Sequence, residues 1–283
     1  MWTLFKPFLP ALLIAPAIVA LGLISAARLR STHSWACAAA LAAAYVGGHA
    51  VAIGRWPAFP PVDSIDWLLY FALGALIFPI LDVFLPQSHG WLRWLVWAGF
   101  SASFLSALLR PKFMYGWSVP HGLLWLGGIL AIMLFLAWCF ERIASRSSAR
   151  IALPLILAII TGGSAIALLV SGSMLLGQLA AIVEATILAA FVIGCWIPTL
   201  LPGRGAVPIL TMLFTGLLLC GSFYSELPAL SAGLLISAPS ATFISFGRKT
   251  WSEGSIWVQA GLVSVAVAMA VGLALHSSPP LDY

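Results

Sequence analysis

Apolar runs close to twenty residues long recur along almost the whole chain, separated by short polar islands. A bilayer core takes about 20 apolar residues per helix. Inside hydrocarbon every backbone polar group needs a partner within the protein, and helices supply those partners segment by segment. The runs are continuous rather than alternating over ten-residue stretches, so a lipid-facing β-barrel does not fit. Composition agrees. Of the 283 residues, 62% are hydrophobic and 7% charged, against about 25% charged in a typical soluble domain. One soluble core cannot hide that much apolar surface. The chain reads as an all-α, polytopic membrane helix bundle whose principal partner is the lipid bilayer.

Ten spans are expected, at residues 7–27, 34–54, 64–85, 91–110, 118–140, 151–170, 173–197, 207–224, 227–246 and 256–276. The first reads as a retained span rather than a cleaved leader, because Pro10 and Pro16 interrupt it and Arg28 and Arg30 follow at once. Asp63 is placed to cap the third span, with Asp66 in its first turn. Pro79 and Pro239 fall inside spans, where proline breaks or kinks a helix. Alternating the spans puts Arg28, Arg30, Arg93, Arg142, Arg146, Arg150, Arg204, Arg248 and Lys249 on one side, and Lys6, Arg55, Arg110 and Lys112 on the other. The richer side is expected to be cytoplasmic, with both termini outside and the cell inner membrane as the multi-pass location. Trp56, Trp67, Trp91, Trp117, Trp196, Trp251 and Trp257 fall at span ends, as interfacial anchors do.

A single transmembrane domain, 1–283, accounts for the whole chain. It divides into a Trp-rich half (1–140), a basic loop (141–150) and a half rich in Gly, Ser and Thr (151–283). Ten of the thirteen Trp precede residue 141. Small residues such as Thr161-Gly162-Gly163-Ser164 let helices approach closely. Five spans in each half would give inverted repeats, but no matched motifs accompany that arrangement. The net charge of +5 is scattered and forms no basic face, so nucleic acid is not an expected partner. Cys37, Cys139, Cys195 and Cys220 lie in apolar surroundings with no CxxC pair and are read as small buried residues.

Glu184 is the principal candidate for chemistry. It lies roughly 17–20 Å from either end of its span at 1.5 Å per residue, and a charge at such depth costs about 2.5–3.5 kcal/mol. Three conditions reconcile an acid with that depth: a neutral protonated form, a donor on a neighbouring helix, or a wet cavity. Ser173, Gly177 and Ala181 lie on the same side, forming a strip of small residues. The reading is an intramembrane proton or cation site approached along that strip. The Glu184 side is expected to face the bundle and the Leu175, Leu179, Ile182 and Ile193 side to face lipid. Gln178, roughly 120° away around the helix, is expected to serve a different neighbour.

Secondary candidates are Asp82, expected to pair with Arg93, and His49 and His121. The two histidines lie toward the same face as Asp63, Asp66, Tyr224 and Glu226. No HxxxH or ExxH spacing supports a metal site, and no cofactor is expected. GxSxG, HExxH, P-loop and dinucleotide motifs are absent from the sequence, so an enzyme is the weakest of three readings. A proton-coupled transporter of a small solute or ion, with Glu184 as its intramembrane site, leads. A non-catalytic membrane subunit packed against membrane-protein partners in a larger complex is the alternative.

Overall fold

The computed structural model describes residues 8–28, 34–61, 63–84, 90–145, 151–197, 201–247 and 253–277. Its helices are α1 (Phe8–Arg28), α2 (Ser34–Ile53), α3 (Ser64–Gly74), α4 (Ile77–Phe84), α5 (Gly90–Leu108), α6 (Arg110–Tyr115), α7 (Val119–Ala144), α8 (Ala152–Val170), α9 (Met174–Trp196), α10 (Val207–Tyr224), α11 (Ala229–Ser237) and α12 (Glu253–Ser277), with a 3₁₀ stretch at Ala238–Gly247. No strand occurs among the described residues.

Eight helices among the described residues are long and apolar enough to cross a membrane, with α3 and α4 together forming one of them, Ser64–Asp82. Two of the ten expected spans do not meet that description. Helix α5 has the length, 19 residues, but carries three Trp, three Ser and Arg93. It nevertheless runs between the two ends of the bundle. Arg93 in its first turn contacts Asp82 and Glu141, while the Leu108 carbonyl at its far end accepts a hydrogen bond from Tyr224 Oη at 2.7 Å. The other is 227–246, which is α-helical only over Ala229–Ser237 and continues as 3₁₀ turns. Pro239 cannot continue the α ladder. The Ser237 hydroxyl donates to Leu234 O at 3.0 Å and Thr242 to Pro239 O at 2.7 Å, so side chains answer carbonyls at the break.

At the centre lies α10, in which every residue from Val207 to Gly221 is buried. A helix apolar all round its circumference belongs in such a position. Its glycines admit neighbours: Leu68 and Phe104 occupy the space beside Gly216, and Leu168 and Leu227 that beside Gly221. Helices α8 and α9 share the largest helix–helix contact. They are joined by Ser171-Gly172-Ser173, where Gly172 has φ 85°, a left-handed turn that costs a side-chain-bearing residue but not glycine. Ser173 N closes the turn on Leu168 O at 3.2 Å. On its other flank α8 packs against α12, with Val267 filling the space left by Gly163.

Three local expectations are corrected. Asp63 stands at the N-cap position of α3 but makes no side-chain cap bond; its carboxylate turns to Arg55 instead. Glu141 and Arg142 are not loop residues, because α7 continues to Ala144. Cys195 is exposed, whereas Cys37, Cys139 and Cys220 are buried and free. Trp56, Trp91, Trp196 and Trp257 are well exposed at helix ends, as anchoring requires. Trp251, and the basic residues Lys6, Arg30, Arg146, Arg150, Arg248 and Lys249, lie outside the described residues.

Val267 is β-branched and stiff, so it cannot yield easily to a side chain at Gly163. Gly163→Leu is expected to destabilise the bundle by about 1–3 kcal/mol, the usual range for overpacking. Gly128→Leu, at a position with nothing within 4 Å, is expected to be close to neutral. Thermal unfolding of both variants in the same detergent checks the difference.

Candidate functional site

Glu184 sits halfway along α9, and its carboxyl lies over Gly162 of α8. A Cβ built on Gly162 would come within 2.5 Å of Glu184 Oε1. Glycine at 162 is therefore what gives the acid room. Among the described residues no donor or cation contacts the carboxyl. The nearby hydroxyls are committed elsewhere: Thr161 donates to Leu157 O at 2.7 Å, Ser164 to Ile160 O at 2.8 Å and Thr186 to Ile182 O at 2.7 Å. Each returns its proton to its own helix.

The helix faces the opposite way to expectation. Leu179 and Ile182, expected toward lipid, are fully buried, and Ile182 packs on Gly48 of α2 with a Cγ2 contact of 2.6 Å to a Cβ built there. Before the terminal Trp196, the large exposed residues of α9 are Leu188 and Val192, at 41% and 56%, and Ile166 of α8 is 50% exposed one turn from Gly162. Glu184 is itself half-buried. It thus belongs to the perimeter seam between α8 and α9. The reason is that α9 buries its apolar side against α1 and α2, a demand invisible to a reading that sends greasy faces to lipid. The strip of small residues is also filled from within the chain, since Leu169 of α8 covers Gly177. Gln178 is buried and makes no side-chain hydrogen bond among the described residues.

Ser173 is separated from Glu184 and lines a cavity of about 330 Å³ at the other end of α9, with Ile53, Arg55, Asp63, Ser64, Asp66 and Tyr224 among its walls. Here the structure gathers residues from four segments. Arg55 Nη2 lies 3.0 Å from Asp63 Oδ2 and 3.3 Å from Asp66 Oδ2. The other Asp66 oxygen is 3.7 Å from His49 Nε2. His49 Nδ1 is 3.3 Å from Tyr45 Oη. A chain of polar groups therefore runs from the buried Tyr45 and His49 to the exposed Asp63. Both ring nitrogens of His49 face groups other than Cys220, Ser64 or Ser173, so none of these is paired with it as a nucleophile would be with its base.

The remaining candidates separate. At the opposite end Asp82 Oδ1 contacts Arg93 Nε at 2.7 Å, and Arg93 also pairs with Glu141, which joins α4, α5 and α7. His121 is exposed and accepts from Trp125 Nε1 at 2.9 Å, within an aromatic group that includes Trp117 and Phe223. It does not approach His49. Among the described residues no group of three or more His, Cys, Asp or Glu is arranged to hold a metal ion.

Tyr45 and Arg55 were not legible as site residues. Arg55 carried only a topological meaning, and the one clue was the proline-rich loop that folds it back eight residues onto Asp63. Helical membrane bundle is the class these observations define. The chain matches no family profile, no curated protein and no solved structure.

Removing one partner of an ion pair costs more where the charge left behind is buried than where it is exposed. Asp66 is 3% exposed at its side chain and Asp63 63%. Arg55→Ala is therefore expected to lower thermal stability well beyond Asp63→Asn. A double-mutant cycle of Arg55→Ala with Asp66→Asn should return a coupling of about 0.5–3 kcal/mol. A coupling near zero would remove Arg55 as the counter-ion of Asp66.

Proposed function

We propose that this protein is a multi-pass transporter of the cell inner membrane that couples the movement of a small solute or ion to protonation of Glu184. One observation carries the reading: a carboxyl halfway along a membrane-crossing helix that has room made for it and no partner among the described residues. Acids are rare at such depth and tend to mark ion and proton pathways. A purely structural acid would be held by a hydroxyl or cation, and the hydroxyls nearby are bonded to their own helices.

In this reading ten segments cross the bilayer, α5 and α11 included, and both termini lie outside. The grouping of Arg93 with Asp82 and Glu141 at one end, and of Arg55 with Asp63 and Asp66 at the other, supports the alternation of the segments between them. A reporter enzyme active only outside the inner membrane, fused to the C-terminus, is expected to be active; a cytoplasmic reporter at the same place is expected to be the silent one.

The coupling is tested in proteoliposomes with a panel of small solutes. Glu184→Gln is expected to lose at least tenfold of the uptake driven by an imposed proton gradient while retaining exchange of solute for solute. Gradient-driven uptake equal to that of the unaltered protein would end the coupling role. A second reading, a subunit of a larger membrane complex, draws on the perimeter position of Glu184, where an acid can meet a cation on a neighbouring helix. Under that reading Glu184→Gln changes the size of the complex and not solute flux.

A further inference from the structure

Resting on Glu184 as the working group, we propose that its ligand is a lipophilic cation, such as an amphiphilic amine, that enters sideways from the bilayer and seats its charged head over Gly162. The first ground is the direction of opening. The carboxyl lies on the seam along which Ile166, Leu188 and Val192 of α8 and α9 face outward. The route from the Ser173 end is occupied by Leu169 packed on Gly177. A solute confined to water has no described path to this depth; one dissolved in lipid does.

The second ground is chemical complementarity. Glu184 is the only charged residue on either α8 or α9. An ionised carboxylate only accepts hydrogen bonds, and the hydroxyls of Thr161, Ser164 and Thr186 have already donated to backbone carbonyls. Among the described residues the site offers an anion no free donor. It offers a cationic head group its single strongest complement, in surroundings where charge attraction is weakly screened.

The third ground is shape. The space over Gly162 is taken by the Glu184 carboxyl itself and flanked by the half-buried Ala181, so the notch lies on the carboxyl's outer side. Ile166 and Leu188 stand on opposite sides of it, each four residues, or roughly 6 Å, along its helix. That gap is the size of a head group. A continuous helix laid along the seam would meet these two side chains first.

Tetraphenylphosphonium is the probe, with binding measured at equilibrium on the purified full chain in lipid nanodiscs. Glu184→Gln, nearly isosteric, is expected to weaken binding at least tenfold with an unchanged melting temperature. Gly162→Leu, which takes the room of the carboxyl, should weaken binding likewise with some loss of melting temperature; if it fails to fold, the Glu184→Gln comparison still decides. Dodecylamine should compete, whereas dodecanol and the water-soluble cation choline should not. Equal affinity of the unaltered protein and Glu184→Gln overturns the proposal, as does competition by choline at the potency of dodecylamine. If a bilayer-spanning leucine helix with one central lysine binds at Glu184 and tetraphenylphosphonium does not, the notch belongs to a partner protein and the proposal fails. Binding needs no gradient, so the two readings fail separately. Probe binding without gradient-driven uptake ends the coupling and keeps the notch ligand; coupling without probe binding does the reverse.

Discussion

Polar groups in the middle of this molecule have no bulk water to turn to, and many are answered from within the chain, although Trp97 Nε1, Ser101 Oγ and Thr211 Oγ1 are buried without a partner among the described residues. Helices satisfy the backbone. Thr161, Ser164, Ser171 and Thr186 donate to carbonyls one turn back on their own helices, and Ser231 reaches across to Ala270 O of α12 at 2.6 Å. Hydroxyls spent in this way act as apolar surface toward their neighbours. That economy is what isolates Glu184. Its depth would be unremarked in water; in hydrocarbon, an acid without a partner among the described residues sets apart the seam where it lies.

Two adjacent glycines give α8 its position. Successive residues on a helix are about 100° apart, so Gly162 and Gly163 serve different neighbours. One admits the carboxyl of Glu184 and the other admits Val267. The same pair thus fixes how closely α9 and α12 approach α8 from either flank, and the tight turn at Gly172 keeps α8 and α9 in register. Packing by small residues, rather than by a hydrophobic drive that lipid cannot supply, is the expected origin of such contacts.

Much of this architecture was legible in the residues. Apolar run length located the helices, because a fixed bilayer thickness imposes a fixed ruler. It failed where the ruler does not apply. Helix α5 was located despite its Arg93 and serines, whereas the segment after Ser237 yields to Pro239. The pairing of Asp82 with Arg93 was legible because short reach and opposite charge leave few options. The facing of α9 was not. Burial of Leu179 and Ile182 against α1 and α2 depends on which helices neighbour α9, and one helix's periodicity does not specify that. Of the cluster, His49, Asp63 and Asp66 were legible as residues of one face, whereas Tyr45 and Arg55 were not, because α2, its following loop and α3 each contribute residues with no motif of their own.

The broken span formed by α3 and α4 has its two pieces fastened to different parts of the molecule. Asp66 of α3 is tied through Arg55 and His49 to α2 and its following loop. Asp82 of α4 is tied through Arg93 to α5 and, by way of Glu141, to α7. Between the ties, Ala75 and Leu76 form turns rather than continuing helix, and Pro79 lacks the N–H that would bridge back to Ala75. A rigid rod held at both ends would carry any displacement of one end to the other. This span is jointed at Ala75–Leu76 instead, and what its separate polar ties do not join is spanned by aromatic packing, since Phe71 of α3 and Phe78 of α4 both rest on Phe100 of α5.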